Sequence, residues 1–289
     1  MKKISLIPFI GILVLCFVGS VFAEDTLEKI GRTGEFVVGV RDGAIPFGFI
    51  SKENEPVGFS IDMAKEFQKA IEKQLGRSIK LTFKTVNPKT RIPLVANRTI
   101  DIECGSTTHT VDREETVDFT ITTFLTGTQL LVKKASGIKG VNDIPGKKVG
   151  AAQGSTNEKA IRDLNEKGEI KPPANLVVYQ EHSQGFLALE RGIVDAYCTD
   201  GILLAGLKAK APNPGDYEVV GGLITYDPYA YLVQENDSNF RDFINIQIIS
   251  MIKDGRFYKL YDKWFGPNGT VPYPMTEEFK TLLKLQAWP

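Results

Sequence analysis

The chain has 289 residues, with 35 basic and 35 acidic side chains, two histidines and three cysteines. This charge balance gives no electrostatic basis for binding nucleic acid or an anionic membrane surface, and we expect neither as a partner. The length is that of one large domain or two ordinary ones.

The first 23 residues have the pattern of a cleaved export signal. A short basic start precedes an apolar run over residues 4–18 and a cleavage pattern that ends at Ala23. The run is shorter than the ~20 apolar residues of a membrane span, and an uncleaved anchor is the alternative. Leu15 stands before Cys16, where lipid modification requires a small residue. We therefore predict cleavage after Ala23 and a periplasmic chain that starts at Glu24.

The two cysteines beyond this signal are Cys104 and Cys198. A disulfide is chemically allowed outside the cytoplasm. Both residues lie in apolar, strand-like runs, and each stands two residues before a polar candidate for the site. We expect small buried side chains, with a bridge as the alternative.

The first elements alternate between strand and helix. Residues 34–40 read as a strand, residues 60–75 as an amphipathic helix closed by Gly76, and residues 79–86 as a second strand. Strand, helix and strand in this order predict a parallel α/β sheet.

A similar unit occurs once in each half of the chain. Residues 81–106 and 176–200 each read as strand, helix and a second strand that ends in polar side chains. Two such units predict two similar α/β lobes, although any two strand–helix–strand segments share some of this pattern. Ligands bind beyond the carboxyl ends of strands in such sheets, so two facing lobes would form a cleft.

The strand-like runs at 128–133 and 230–234 flank the second unit and are predicted to cross between the lobes. Lobe one is then discontinuous, and helices are expected at 240–252, 257–265 and 276–285. The predicted divisions are 24–134 plus 226–266 for lobe one, 135–225 for lobe two, and 267–289 for a C-terminal tail.

Five candidate ligand-binding residues fall in the predicted lobe one. Arg41 follows the first strand, where a guanidinium can donate a bidentate pair to a carboxylate. Arg91 begins a helix, where the helix dipole disfavours a cation unless an anion binds there. Ser106 and Thr108 lie beyond a strand end, and Arg113 can fold back towards them. Each residue alone also fits a solvated loop or a helix cap.

The predicted lobe two contributes four more candidates. Ser155 and Thr156 form a glycine- and hydroxyl-rich turn at a helix start, which suits an anion, and Ser155 with Glu158 also fits a capping box. His182 could contact a carboxylate, although a lone histidine is more often structural. Asp200, at a strand end, could pair with a ligand ammonium group.

The sequence gives no signal for a metal, a cofactor or a catalytic nucleophile. The histidines and cysteines lack metal-ligand spacing, and neither a Gly-x-Ser-x-Gly elbow nor a P-loop is present. We therefore expect a binding protein with no cofactor, no metal and no catalytic residue.

The chain resembles the polar-amino-acid solute-binding proteins of bacterial ABC importers, and within them the glutamate/aspartate-binding subgroup. The resemblance spans nearly all of the chain after the signal. Within the matching stretch 101–108, the part Glu-Cys-Gly-Ser-Thr-Thr at 103–108 is specific to that subgroup. Matches shared more widely are 37–41, 46–47, 91–94, Arg113, 154–156, His182, Asp200, 203–206 and 262–265.

The resemblance implies a two-lobed, type II periplasmic-binding-protein fold in which the ligand closes the cleft. It assigns the ligand α-carboxylate to Arg113 and Thr108, helped by Ser155 or Thr156. It assigns the ammonium group to Ser106 and Asp200, and the side-chain carboxylate to Arg41, Arg91 and His182. It also implies membrane permease subunits as partners, and we expect a monomer.

One departure from the family pattern is Pro88, which stands where similar proteins have a serine near the side-chain carboxylate. Proline lacks both a hydroxyl and an N–H group, so the preference between glutamate and aspartate, or for another anionic amino acid, stays open. The main alternative function is a dehydratase for prephenate-like acids, with Asp200 or Glu103 as general acid. A receptor sensor domain or a surface antigen is a further alternative.

Overall fold

The computed structural model describes residues 24–287, so the predicted export signal and its cleavage site lie outside the described residues. The described chain forms two lobes, each with a central five-stranded sheet. The first sheet is assembled from two separate parts of the chain, and the second sheet from the part between them. This is the mixed α/β, two-lobed architecture that the sequence predicts.

The first part of lobe one contains the predicted strand–helix–strand start and the first repeated unit. Gly76 closes its long helix with a φ of 66°, a conformation that glycine adopts at little cost. In chain order the elements are α1 (Thr26–Thr33), β1 (Glu35–Val40), β2 (Gly43–Ala44), β3 (Gly48–Ile50), β4 (Pro56–Val57), α2 (Phe59–Leu75), β5 (Lys80–Thr85), α3 (Arg91–Ala96), β6 (Ile102–Cys104), α4 (Val111–Glu114), β7 (Val117–Phe119) and β8 (Phe124–Thr126).

The chain then builds lobe two and returns to lobe one. Lobe two contains β9 (Thr128–Lys133), β10 (Lys148–Ala152), α5 (Thr156–Glu166), β11 (Asn175–Tyr179), α6 (His182–Glu190), β12 (Ala196–Asp200), α7 (Gly201–Lys210) and β13 (Tyr217–Val220). The return contains β14 (Asp227–Tyr229), β15 (Leu232–Gln234), α8 (Ser238–Lys253), α9 (Arg256–Phe265) and α10 (Glu277–Gln286).

The two sheets share one topology. Their strand orders are β5-β1-β6-β15-β7 and β11-β10-β12-β9-β13. In each sheet the first three strands are parallel, and the fourth runs antiparallel to the third. The units β5-α3-β6 and β11-α6-β12 therefore occupy equivalent places, and the repeat seen in the sequence is a structural repeat.

The crossing between the lobes differs from the expected position. Residues 128–133 form β9, which pairs along its length with β12 inside the second sheet. The antiparallel pair that joins the sheets is instead β8 with β14, with Leu125 opposite Pro228. The other predicted crossing run, 230–234, contains β15, which pairs with β6 and β7 inside the first sheet. Both predictions were wrong because an apolar strand inside a sheet has the same pattern as a crossing strand.

Apolar cores cover both faces of each sheet. In lobe one, Phe36, Phe67 and Phe240 belong to one cluster, and Val86 and Leu232 to the cluster on the other face. Two further clusters enclose the second sheet. The candidate site residues lie beyond this apolar packing, at or near strand ends and helix starts.

The cysteines and the C-terminal tail complete the fold. Cys104 in β6 and Cys198 in β12 are buried free thiols in different sheets. The tail returns to lobe one, where Gln286 forms two hydrogen bonds of 2.9 and 3.0 Å with the backbone of Thr122. Among residues 24–287 no helix is long and apolar enough to span a bilayer.

Candidate functional site

Arg41 lies at the carboxyl end of β1 and is 1% exposed. Its Nη2 donates to Glu181 Oε2 over 2.8 Å, and this ion pair joins lobe one to lobe two. Its Nε is buried without a hydrogen-bond partner. A buried guanidinium with an unused N–H is open to a further acceptor, such as a ligand carboxylate.

Arg91 is the first residue of α3 and is also buried. Its Nη1 donates to the carbonyl of Ser106 over 3.2 Å, while its Nε has no partner. Burial, then the charge of Arg113, lower the pKa of Arg91 to about 9, and Arg41 acts in the same direction. The three guanidinium groups therefore lie close enough to repel one another, and a bound anion would relieve this repulsion.

The turn after β6 presents the hydroxyl groups of Ser106 and Thr108. Ser106 Oγ is buried and unpaired. Thr108 Oγ1 donates to Asp227 Oδ1 over 2.9 Å and lies 3.3 Å from Thr156 Oγ1 of lobe two. Because its hydrogen points to Asp227, the Thr108 hydroxyl can offer only lone pairs to a ligand, which suits an ammonium group. Of the groups of Thr108, only the backbone N–H could then donate to an α-carboxylate, as predicted for this residue.

Arg113 extends from α4 back towards this turn, as its sequence position predicts. Its Nη1 donates to the carbonyl of Thr108 over 2.6 Å, and its Nη2 to the carbonyl of Gly154 over 3.4 Å. Burial lowers the pKa of Arg113, whereas the carboxylates of Glu103 and Asp200 raise it. Arg113 therefore spans the junction between the lobes, with its charge only partly neutralised.

Ser155 and Thr156 begin α5 on the lobe-two side. Ser155 Oγ accepts the N–H of Glu158 over 3.0 Å and donates to the carbonyl of Ala152 over 2.7 Å. The hydroxyl of Ser155 is thus occupied as a helix cap. Of the two residues, only Thr156, which faces Thr108, has its hydroxyl at the junction between lobes.

His182 is the first residue of α6 and is 3% exposed. Its Nδ1 lies 3.0 Å from the hydroxyl oxygen of Tyr197. Burial, followed by the charges of Arg41 and Arg91, holds the pKa of His182 well below its usual value of 6.5. The imidazole is therefore neutral in the empty protein.

Asp200 ends β12 and is buried. Its Oδ1 accepts from Asn157 Nδ2 over 2.8 Å, and its Oδ2 accepts from the hydroxyl of Tyr229. Burial, then the negative charge of Asp227, raise the pKa of Asp200 to about 7. This carboxyl group forms no ion pair within residues 24–287, so a ligand cation would be its counterion.

Three further polar residues complete the site and were not among the sequence-predicted ligand contacts. Asp227, at the start of β14, is buried and accepts from Thr108. Tyr229 donates to Asp200. Glu103 is fully buried between the arginines, with Oε1 unpaired and Oε2 accepting from Thr107 over 2.7 Å. Of these three residues, only Glu103 could have been predicted as part of the site from the sequence, because a charged residue within an apolar strand needs a partner or a function.

All nine predicted residues thus lie at the junction where the two lobes face each other. Direct bonds cross it at Arg41, Thr108 and Arg113. Cavities open on two sides of the junction, one of about 430 Å³ lined by Arg113 and Thr156 and one of about 580 Å³ lined by Glu181. In the described chain no group of three or more His, Cys, Asp or Glu side chains is placed to hold a metal ion.

The loop at Pro88 lies against the same junction. A Cβ at Gly154 would meet Lys89 Cα at 3.2 Å and the carbonyl oxygen of Pro88 at 3.4 Å. The backbone of lobe one thus packs closely on the glycine of the lobe-two turn. The φ of 77° at Gly154 also favours glycine there.

Two comparisons find that the chain is similar to bacterial solute-binding proteins. The family model described as bacterial extracellular solute-binding proteins, family 3, matches residues 36–267. The L-glutamate/L-aspartate-binding protein of Pseudomonas aeruginosa is 37% identical over 265 residues, which cover 89% of this chain and 87% of that protein.

Solved structures agree on the architecture. An ancestral arginine-binding protein bound to glutamine is 33% identical with a TM-score of 0.71, over 81% of this chain and 98% of that chain. An ancestral amino-acid-binding protein, a precursor of cyclohexadienyl dehydratase, is 30% identical with a TM-score of 0.70, over 83% and 99%.

Proposed function

This chain belongs to family 3 of the bacterial extracellular solute-binding proteins, and from that premise we propose that it binds glutamate or aspartate. It acts as the extracytoplasmic substrate-binding component of an ABC amino-acid importer. The Pseudomonas aeruginosa relative, named for both ligands, supports this substrate class. The mature protein would start at Glu24 after cleavage behind Ala23, work in the periplasm as a monomer, and deliver its ligand to the permease subunits.

One observation carries the proposal. Two buried arginines, Arg41 and Arg91, keep an unpaired Nε in the region where Arg113 also acts, and Asp200 faces them without a counterion among the described residues. Unpaired buried donors and a lone buried carboxyl group are costly unless a ligand satisfies them. A small molecule with two carboxylates and one ammonium group supplies the missing partners.

Each ligand group then has its own residues. Arg113 and the backbone of Thr108 would hold the α-carboxylate, with Thr156 and the Ser155 turn on the opposite lobe. Asp200, Ser106 and the Thr108 hydroxyl would receive the ammonium group. Arg41, Arg91 and His182 would surround the side-chain carboxylate, which separates an acidic ligand from a neutral one.

Closure of the cleft follows from this division of contacts. Lobe one supplies the guanidinium groups, and lobe two supplies Thr156, His182 and Asp200. A ligand gains both sets only when the lobes meet, and this differential affinity shifts the open–closed equilibrium towards the closed form. The direct bonds from Arg41 to Glu181 and from Thr108 to Thr156 stabilise the same form.

A dehydratase is the second candidate, because Asp200 has a pKa of about 7 and one similar structure is a dehydratase precursor. A general acid needs a pKa near the working pH. We favour binding, since Asp200 is already held by Asn157 and Tyr229 as an acceptor. Incubation with prephenate or arogenate tests the alternative, and spectroscopic turnover above the rate of a Asp200→Asn variant would establish an enzyme.

Calorimetry and thermal unfolding with glutamate, aspartate, glutamine and arginine test the proposed function. Glutamate or aspartate at 100 times Kd should stabilise the protein by ~2.7 kcal/mol. Glutamine and arginine at the same concentration should stabilise it less, because each lacks the side-chain carboxylate. A protein that responds to neither acidic amino acid, or more strongly to arginine, would refute the assigned substrate class.

A further inference from the structure

Tyr197 occupies a site built for its ring beneath the start of α6. It lies in β12 and is fully buried. A Cβ at Gly185 would lie 2.0 Å from Tyr197 Cε2, and one at Gly150 would lie 3.0 Å from Cδ2. Two glycines thus leave the space that the ring fills, so its position is fixed by packing on both the sheet and the helix.

The hydroxyl of Tyr197 has a single hydrogen-bond partner among residues 24–287, namely His182 Nδ1 at 3.0 Å. Two arrangements are possible for a neutral imidazole. If Nδ1 carried the hydrogen, it would donate to Tyr197, and the buried hydroxyl hydrogen would have no acceptor in the described chain. If Tyr197 donates to Nδ1, both groups are satisfied and the imidazole hydrogen lies on Nε2.

The charge state of His182 supports the second arrangement. Burial and the neighbouring charges of Arg41 and Arg91 depress its pKa, so the ring is neutral and has one hydrogen to place. Glu181 also lies beside this region, but its carboxylate is paired with Arg41. The unengaged nitrogen Nε2 therefore becomes an N–H donor next to two guanidinium groups.

We propose that Tyr197 is a specificity-determining positioning residue that locks His182 in its Nε2–H form, so that His182, like Arg41 and Arg91, offers the ligand side chain a donor rather than an acceptor. This inference rests on the proposed function. A carboxylate accepts from every donor there, whereas an amide must point its NH₂ group at another donor. In the opposite tautomer, Nε2 would accept from an amide, and glutamine would bind without that mismatch.

The tautomer can be read directly by ¹⁵N NMR of histidine-labelled protein without any ligand. The chain has only two histidines, so His109→Gln identifies the His182 signals. The expected spectrum shows a bare Nδ1 and a protonated Nε2 that stay unchanged from pH 5.5 to 8. A hydrogen on Nδ1, or a doubly protonated ring at pH 7, would overturn the inference.

Tyr197→Phe removes the donor and keeps the ring in its glycine-lined space. We expect the His182 signals to become those of a mixed tautomer, and the preference for glutamate over glutamine to fall about tenfold. Tyr179→Phe is the matched control, because its hydroxyl is buried nearby in the same lobe and has no partner. The control should change neither the spectrum nor the ligand preference.

The possible results separate this inference from the proposed function. Glutamate binding with an unchanged glutamate-to-glutamine ratio in Tyr197→Phe would sink the role of Tyr197 and leave the substrate class standing. If His182 has the expected tautomer but the protein binds no acidic amino acid, the proposed substrate class is wrong and the effect of Tyr197 on the tautomer is confirmed. Loss of fold in Tyr197→Phe is detected by circular dichroism, and the ligand-free spectrum of the native protein still decides the tautomer.

Discussion

The two copies of the strand–helix–strand unit have the same scaffold and opposite chemistry. In lobe one the helix starts with Arg91, and in lobe two the equivalent helix starts with His182. The third strand of lobe one leads to Ser106, whereas that of lobe two ends in Asp200. One copy thus offers a guanidinium group for a carboxylate, and the other a neutral ring and a carboxyl group. A zwitterion can satisfy both copies only by lying between them.

The largest effect is expected for Arg113, which would contact the α-carboxylate shared by all amino acids. Arg113→Ala should weaken glutamate, aspartate and glutamine alike by about 2–5 kcal/mol, measured by calorimetry. Arg162→Ala is the matched control, since Arg162 lines the same cavity but is 54% exposed. Loss for glutamate alone would break the assignment of Arg113.

Arg91, in the lobe-one copy of the repeat, is expected to affect acidic ligands selectively. Arg91→Ala should weaken glutamate and aspartate by about 1.5–3 kcal/mol, the range for a hydrogen bond to a charged group. Glutamine should change much less, because its side chain brings no charge to Arg91. Calorimetry with the three ligands measures the difference, and an equal loss for all of them would contradict the role.

Asp200, in the lobe-two copy of the repeat, should make ligand affinity depend on pH. Asp200 has a pKa of about 7 in the empty site, and a bound ammonium group would lower it, so binding below pH 7 must release a proton. Affinity should therefore fall as the pH falls from 7 to 5, by at most about tenfold per pH unit. Calorimetry in buffers of different ionisation enthalpy counts the released proton.

Asp200→Asn provides the control for this pH dependence, because an amide cannot titrate. Its affinity should be lower and nearly flat over the same range. The empty protein adds a second readout. Because the pKa of Asp200 is higher in the folded protein than its ordinary value of 3.8, this group stabilises the fold below about pH 4, and that stability is lost as the pH rises to about 7. A wild-type affinity that rises with acid would show that Asp200 does not meet the ammonium group.

The smallest effect separates Ser155 from Thr156. Ser155→Ala should lower the free energy of unfolding by about 1 kcal/mol, because a helix cap is lost, and should leave ligand preference unchanged. Thr156→Ala should leave stability nearly unchanged and weaken every ligand. Urea unfolding with calorimetry measures both, and a reversed pattern would make Ser155 the ligand contact.

The sequence predicted most of what depends on local pattern. Apolar spacing located β1, α2 and β5 to within one residue, because burial repeats every 2 residues in strands and every 3.6 in helices. The repeat predicted the twin sheets. The same pattern misplaced the crossing at 128–133, since apolar spacing does not say which sheet a strand joins.

The amino-acid sequence by itself thus determined the elements, the two similar units and a set of polar residues at strand ends. Only the tertiary structure decided that Thr108 donates to Asp227, that Arg41 pairs with Glu181, and that His182 meets Tyr197. The reason is physical: periodicity is local, whereas a hydrogen bond between Thr108 and Asp227 joins residues 119 positions apart. Such a contact exists only after the two separate parts of lobe one have packed together.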